Sequence, residues 1–233
     1  MNIESKLRFA FFVHYSCMYP SKLNFMKKLL IPLFAAFLTV SCSKTETQTS
    51  NTATEQPQKT ESINEKSNEM LAVMDEMMDE MHGNEITGNN DADFSKMMTE
   101  HHDGAVEMSE LLLEKGKNEE LKNFARKVIE AQNKEVQLMK KFEDRKEASP
   151  DSKEFVQELN RSMAAMMDKN IQIHNNIDKD YAQQMIPHHQ SAVDMAKVYL
   201  KYGKEKELLQ LCKDIVKTQN TEIAELKEWL AKN

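Results

Sequence analysis

Two histidine pairs in matching surroundings are the residues of this chain best suited to chemistry. Met98-Thr99-Glu100-His101-His102 is followed by Ala105, Val106 and Met108. At an offset of 87 residues, Met185-Ile186-Pro187-His188-His189 is followed by Ala192, Val193 and Met195. The register then holds without a gap: Gly116 with Gly203, Leu121 with Leu208, Gln132 with Gln219, Glu135 with Glu222, Phe142 with Trp229. A lone histidine pair is a weak signal, but a pair copied with its Met, Gln and Glu neighbours marks a duplicated unit. Met98 precedes His101 by three residues and His102 by four, and Met108 lies two turns beyond His101, so thioethers stand within helical reach of each imidazole. Thioether and imidazole together suit Cu(I), imidazole also takes Cu(II), and such a donor set suits Mg or Ca badly.

These residues must be positioned by helices. Gly and Pro number five each while Met numbers 17, and the periodicity predicts six helical segments: 63–82, 91–115, 118–145, 152–175, 178–202 and 204–231. Asp91 or Asp93 is the expected N-cap of the second, with Gly116 as its terminator. One seam reads Phe94, Met98, His101, Ala105, Met108, Leu112, and its hairpin partner reads Leu121, Ala125, Val128, Gln132, Glu135, Met139, Phe142. The second repeat carries the same seams, with Cys212 in the place of Ala125 as a small core residue. Neither hairpin can bury its seam alone. The expected fold is therefore all-α: a four-helix bundle of two duplicated hairpins, each preceded by a Met-rich helix.

Within each hairpin, antiparallel pairing about the glycine predicts His101 opposite Gln132 and Met98 level with Glu135. The second repeat repeats this as His188 with Gln219 and Met185 with Glu222. Gln132, Glu135, Gln219 and Glu222 then hold and orient the ligating rings rather than bind metal themselves. Met78, Met81 and His82, at the end of the first Met-rich helix, are accessory metal candidates, and His174 could add a further ligand. Pro187 inside its helix predicts a kink that Glu100 in the first repeat does not impose. The bland alternative also fits: a Met stripe is ordinary core, and buried His–Glu–Gln clusters serve as structural networks. No Glu stands three residues before any His, which argues against a carboxylate di-iron centre. No nucleophile elbow or phosphate loop is present either, and catalysis is not expected.

Upstream, Met26-Lys27-Lys28, the apolar run 29–40 and Thr39-Val40-Ser41-Cys42 read as an export signal, too short to span a bilayer. Cys42 after small residues is similar to a bacterial lipoprotein cleavage box, with an ordinary signal peptide as the alternative because Thr39 stands where Leu is usual. The expected organisation is a non-native extension at 1–25, signal and lipobox at 26–42, a disordered tether at 43–64, the first repeat at 65–147 and the second at 152–232. Removing residues 1–42 takes away five basic side chains and one acidic one, so the net charge moves from −7 to −11. That balance excludes nucleic acid as a partner and favours cations.

Asp93-Phe94…Met98…His101-His102…Ala105-Val106…Met108 and Asp180-Tyr181…Met185-Ile186-Pro187-His188-His189…Ala192-Val193…Met195, with Gln132…Glu135 and Gln219…Glu222, resemble the signature of the domain of unknown function 305 family. The resemblance covers about residues 70–231. It implies a ferritin-like bundle in exported bacterial proteins, among them CopM-like periplasmic copper binders. It also implies Met98, His101, His102, Met108, Met185, His188, His189 and Met195 as metal ligands. The first copy departs from the Ile-Pro-His-His pattern at Thr99-Glu100.

The chain is thus expected to be a copper sequestering or carrying lipoprotein of the periplasm or outer membrane. It would be held to the membrane by its lipid alone, with a copper-exchange protein as its natural protein partner. Intact-mass analysis of the protein extracted from the envelope is expected to give a chain starting at lipidated Cys42. Any peptide from residues 1–25 contradicts the assignment of Met26 as the start.

Overall fold

The computed structural model describes residues 68–168 and 171–233. These fall in one compact unit, Lys59–Asn233, while the other unit, Met1–Gln58, lies outside the described residues. The extension, the signal with Cys42 and the tether therefore all lie outside them. Among the described residues the regular elements are helices: α1 Glu69–Gly83, α2 Asn90–Lys115, α3 Glu119–Met139, α4 Ser152–Ser162, α5 Ile177–Tyr202 and α6 Lys206–Lys232.

Each long helix starts on a side-chain cap. Asn89 accepts from the Asp91 and Ala92 amides and Asn176 from those of Asp178 and Lys179, so the duplication reaches the caps. The expected caps Asp91 and Asp93 are displaced by this. Asp91 sits in the first turn, where its charge suits the helix dipole. Asp93 turns back to accept from Thr87 N, Thr87 Oγ1 and Gly88 N, and its counterpart Asp180 accepts from His174 N and Asn176 N. These bonds clamp the chain entering α2 and α5, which holds the histidine helices in register.

α2 turns into α3 through Gly116, and α5 into α6 through Gly203. Both glycines have extended backbones that any residue adopts, so their reason is space. A Cβ at 116 would stand 2.6 Å from Leu112 O and 2.7 Å from Asp178 Oδ1, and one at 203 would stand 2.4 Å from the Tyr199 ring. The hairpins pack on each other through α2 and α5, which run antiparallel. Ser109 Oγ meets Tyr181 OH at 3.0 Å near one end, and the Phe94 and Tyr199 rings meet at 4.4 Å near the other. α1 covers α2 and α5 from one side, α4 packs on α5 and α2, and α3 and α6 flank a groove rather than packing closely on each other. The fold is an all-α bundle of two duplicated hairpins, each with a preceding helix.

The expectation for α4 changes. α4 ends at Ser162, not near Asn175, so Met163, Met166 and Met167 fall in and after a short 3-10 turn rather than on a Met-rich helix. Ser162 Oγ donates to Leu159 O at 2.6 Å, and Asp180 draws the backbone at His174 and Asn176 into the loop that feeds α5. α1, by contrast, buries Met70, Met74, Met77 and Met81 as a single stripe. Its Met77 lies so close to α2 that a Cβ on Gly104 would meet the Met77 Sδ at 2.5 Å and its Cβ at 2.9 Å.

Gly104→Ala sets a helix-propensity gain of about 1 kcal/mol against overpacking of about 1–3 kcal/mol. We expect a net loss of stability in urea unfolding, which Met77→Ala in the same chain partly reverses. A stabilised G104A variant contradicts this packing.

Candidate metal centre

The seams of α2 and α5 bring the two motifs face to face. Met98, His101, His102 and Met108 from α2, and Met185, His188, His189 and Met195 from α5, are all 0% exposed. His101 and His188 meet at the crossing, with ring centroids 3.8 Å apart at 42°. His102 and His189 lie to either side, 6.2 and 6.0 Å from their sequence neighbours. Because Phe94 meets Tyr199, the antiparallel register carries Met98, one turn on, toward Met195, one turn back. The same spacing carries Met108 toward Met185. Each end of the centre thus draws thioethers from both repeats.

The hydrogen bonds determine which ring nitrogens are free. His102 Nε2 lies 2.7 Å from Glu135 Oε2, and since a carboxylate only accepts, the nitrogen carries the proton. His189 Nε2 lies 3.0 Å from Glu222 Oε2, close but poorly aligned. His188 Nε2 donates to the His101 carbonyl at 2.9 Å. In a neutral ring a protonated Nε2 leaves Nδ1 with a lone pair, so His188, and His102 when uncharged, aim an Nδ1 acceptor into the core. Those two Nδ1 atoms have no partner, and neither nitrogen of His101 or of His189 has one. Burial, followed by the neighbouring imidazoles, holds His101 and His188 well below the ordinary 6.5, so both rings stay neutral. Leaving a buried polar atom unpaired costs about 1–3 kcal/mol, and six such ring nitrogens in one cluster mark a place built to receive something.

The partners within the hairpins differ from the expected ones. His101 does not bond Gln132, nor His188 Gln219; both amides are buried with Oε1 unpaired. The carboxylates instead reach the second histidine of each pair. The first histidines are turned toward each other because the hairpins join through α2 and α5, a contact that pairing within one hairpin leaves out. His102 and His189 are accordingly not turned to solvent; only their Glu135 and Glu222 partners reach it, at 21% and 17% exposure. α5 runs through Pro187 as one helix. Of the accessory residues, Met78 is half-buried, Met81 buried and His82 exposed, so these three do not share one environment. Among the described residues, His, Cys, Asp and Glu side chains alone form no group of three or more able to hold a metal. The other soft donors buried with the histidines are the thioethers of Met98, Met108, Met185 and Met195.

The family model of a domain of unknown function (DUF305) matches residues 43–143 and again 91–230. The chain belongs to this family. Among solved structures it is similar to CopM in a silver-bound form obtained by soaking, at 32% identity, covering 61% of this chain and 95% of that chain with a TM-score of 0.47. CopM in the apo form gives 32%, 61%, 96% and 0.48, and CopM in the Cu(I)-bound form 31%, 61%, 96% and 0.47. No curated protein matches the chain.

In this DUF305 chain two further residues near the centre escaped the sequence reading of the site. Met77 of α1 reaches α2 at Gly104, one turn beyond His101. The signal for it was a glycine in mid-helix where the other repeat has Ser191. Cys212 is buried, and burial pushes its thiol up with the Glu135 carboxylate adding to the effect, which places a sulfur near the first repeat's carboxylate alone. Its counterpart Ala125 offers none.

Unfolding frees His101 and His188 to take protons, so the stability they contribute is present above pH 6.5 and is lost as pH falls below it toward their folded values. Glu100, Asp103 and Glu107, raised chiefly by burial, act with the opposite sign, so the histidine part is read as a difference between variants. We expect the metal-free protein to lose urea stability between pH 7.5 and 5.5, and His101→Gln/His188→Gln to flatten that loss. Parallel curves contradict the assignment.

Proposed function

We propose that this protein sequesters or carries copper in the bacterial cell envelope, with Cu(I) as the preferred ion and Cu(II) accepted by the imidazoles. The observation that supports this reading is the buried set of unpartnered Nδ1 atoms on His102, His188 and His189, with His101 between them and four buried thioethers alongside. A hard cation would want oxygen ligands, and the carboxylates near the centre are engaged with imidazoles. Thioether and neutral imidazole are donors that bind Cu(I) without thiolate chemistry and release it by exchange. The copper is cargo, and the protein acts by binding rather than catalysis.

The proposed ligands are Met98, His101, His102, Met108, Met185, His188, His189 and Met195. Glu135 fixes the His102 ring by accepting from its Nε2, and Glu222 stands 3.0 Å from His189 Nε2 in the matching position. The reading rests on these donors of the chain itself and not on the CopM likeness. Among the described residues no helix is long and apolar enough to cross a membrane, and attachment in this proposal is through lipid on Cys42. The acidic chain recruits cations rather than nucleic acid, and a copper-exchange protein would be its protein partner.

A second reading, a helical envelope module without metal, draws on the same hydrogen bonds, since His102–Glu135 and His188–His101 would equally serve a structural network. Cu(I) competition titrations on residues 43–233 separate the two. We expect His101→Ala/His188→Ala to weaken Cu(I) binding at least about tenfold, or about 1.4 kcal/mol, and Glu135→Gln/Glu222→Gln to weaken it by about 10–100-fold. Copper should raise the unfolding temperature of the wild type. Unchanged affinity in H101A/H188A refutes the ligand assignment, and the absence of any copper-dependent thermal shift favours the structural module.

A further inference from the structure

The eight proposed donors are completely buried, so a cation can reach them only past side chains that touch solvent. Glu222 is one: its Oε2 stands 3.0 Å from His189 Nε2, yet the side chain keeps 17% exposure. It also lines a cavity of about 290 Å³ between α3 and α6, together with Phe124, Lys127, Thr218, Thr221 and Glu225. A neighbouring cavity of about 300 Å³ shares Phe124, Lys127 and Glu225, so the two form a groove along the hairpin faces. At about 30 Å³ per water the inner cavity has room for roughly ten, enough for a cation with its hydration shell. Phe124 stands between this space and the centre: it lines both cavities, and its ring lies 6.4 Å from that of His189 at 34°.

Resting on the metal-binding reading, we propose that the second-repeat end of the centre is loaded through this groove. Glu222 is the carboxylate that takes the incoming cation, and the Phe124 ring is the barrier in front of His189. The groove wall sets Glu222 and Glu225 against Lys127 and Lys217. Such a balanced lining does not trap a cation, and it suits passage better than storage. From the Glu222 carboxylate the nearest imidazole nitrogen, His189 Nε2, is 3.0 Å away, and a change of Phe124 rotamer opens the last step. The counterpart of Phe124 in the other repeat is Leu211, which lines neither cavity.

The test measures copper entry separately from copper affinity. Cu(I) is transferred anaerobically from a weak chromogenic chelator to the purified His102→Ala protein, in which the second-repeat end keeps both histidines, and the rate is followed by stopped flow. Phe124→Leu, which installs the side chain found at 211, and Lys127→Glu at the exposed groove wall are expected to speed entry at least about threefold. Both should leave equilibrium affinity unchanged. Glu222→Gln is expected to slow entry, and the Lys127→Glu gain should shrink as salt is raised. Unchanged rates in Phe124→Leu and Lys127→Glu at unchanged affinity overturn the route while leaving the copper reading intact. Failure of the wild-type protein to take copper at all overturns that reading instead.

Discussion

Everything at the centre of this protein depends on the antiparallel contact between α2 and α5, which buries four imidazoles where few polar partners are available. Burial removes the charged form of His101 and His188, while Glu135 engages the Nε2 of His102 and the His101 carbonyl that of His188. The lone pairs that remain face a core of thioethers. The rest of the fold serves this contact. Asn89 and Asn176 start the two helices, Asp93 and Asp180 clamp the chain entering them, and Gly116 and Gly203 let the hairpins close without a clash.

Much of the architecture was legible in the sequence because duplication and seam periodicity are local signals. An offset of 87 residues identified the repeats, and apolar spacing placed α2, α5 and α6 within two residues of their observed ends but ran α3 six residues past Met139. The partners of the histidines were less legible. Spacing within a hairpin pointed His101 at Gln132, whereas the contact that matters joins two hairpins far apart in sequence. The α2 cap was misplaced by two to four residues because Asp at 91 and 93 is as good a local signal as Asn at 89, and only the clamp on Thr87 and Gly88 decides between them. α4 was overextended because Met163, Met166 and Met167 are good helix formers, while the bonds from Asp180 that pull the following chain into a loop are long-range.

The repeats are alike in scaffold and unlike in chemistry. The first has Gly104 with Met77 against it, Thr99-Glu100 before its histidines, and Cys212 from the other hairpin near Glu135. The second has Ser191, Ile186-Pro187 and a carboxylate that opens on a groove. His188 donates to the carbonyl of His101, while both ring nitrogens of His101 are unpaired. A duplicated scaffold with unequal ends suits a protein that accepts an ion at one end and holds it at the other.

X-ray absorption at the copper K-edge of the Cu(I)-loaded protein tests the central claim most directly, since it reads which atoms touch the metal. The account predicts a low-coordinate Cu(I) shell of mixed imidazole nitrogen and thioether sulfur that loses nitrogen in the His101→Ala/His188→Ala protein. A shell of oxygen alone, or one indifferent to those substitutions, would contradict it.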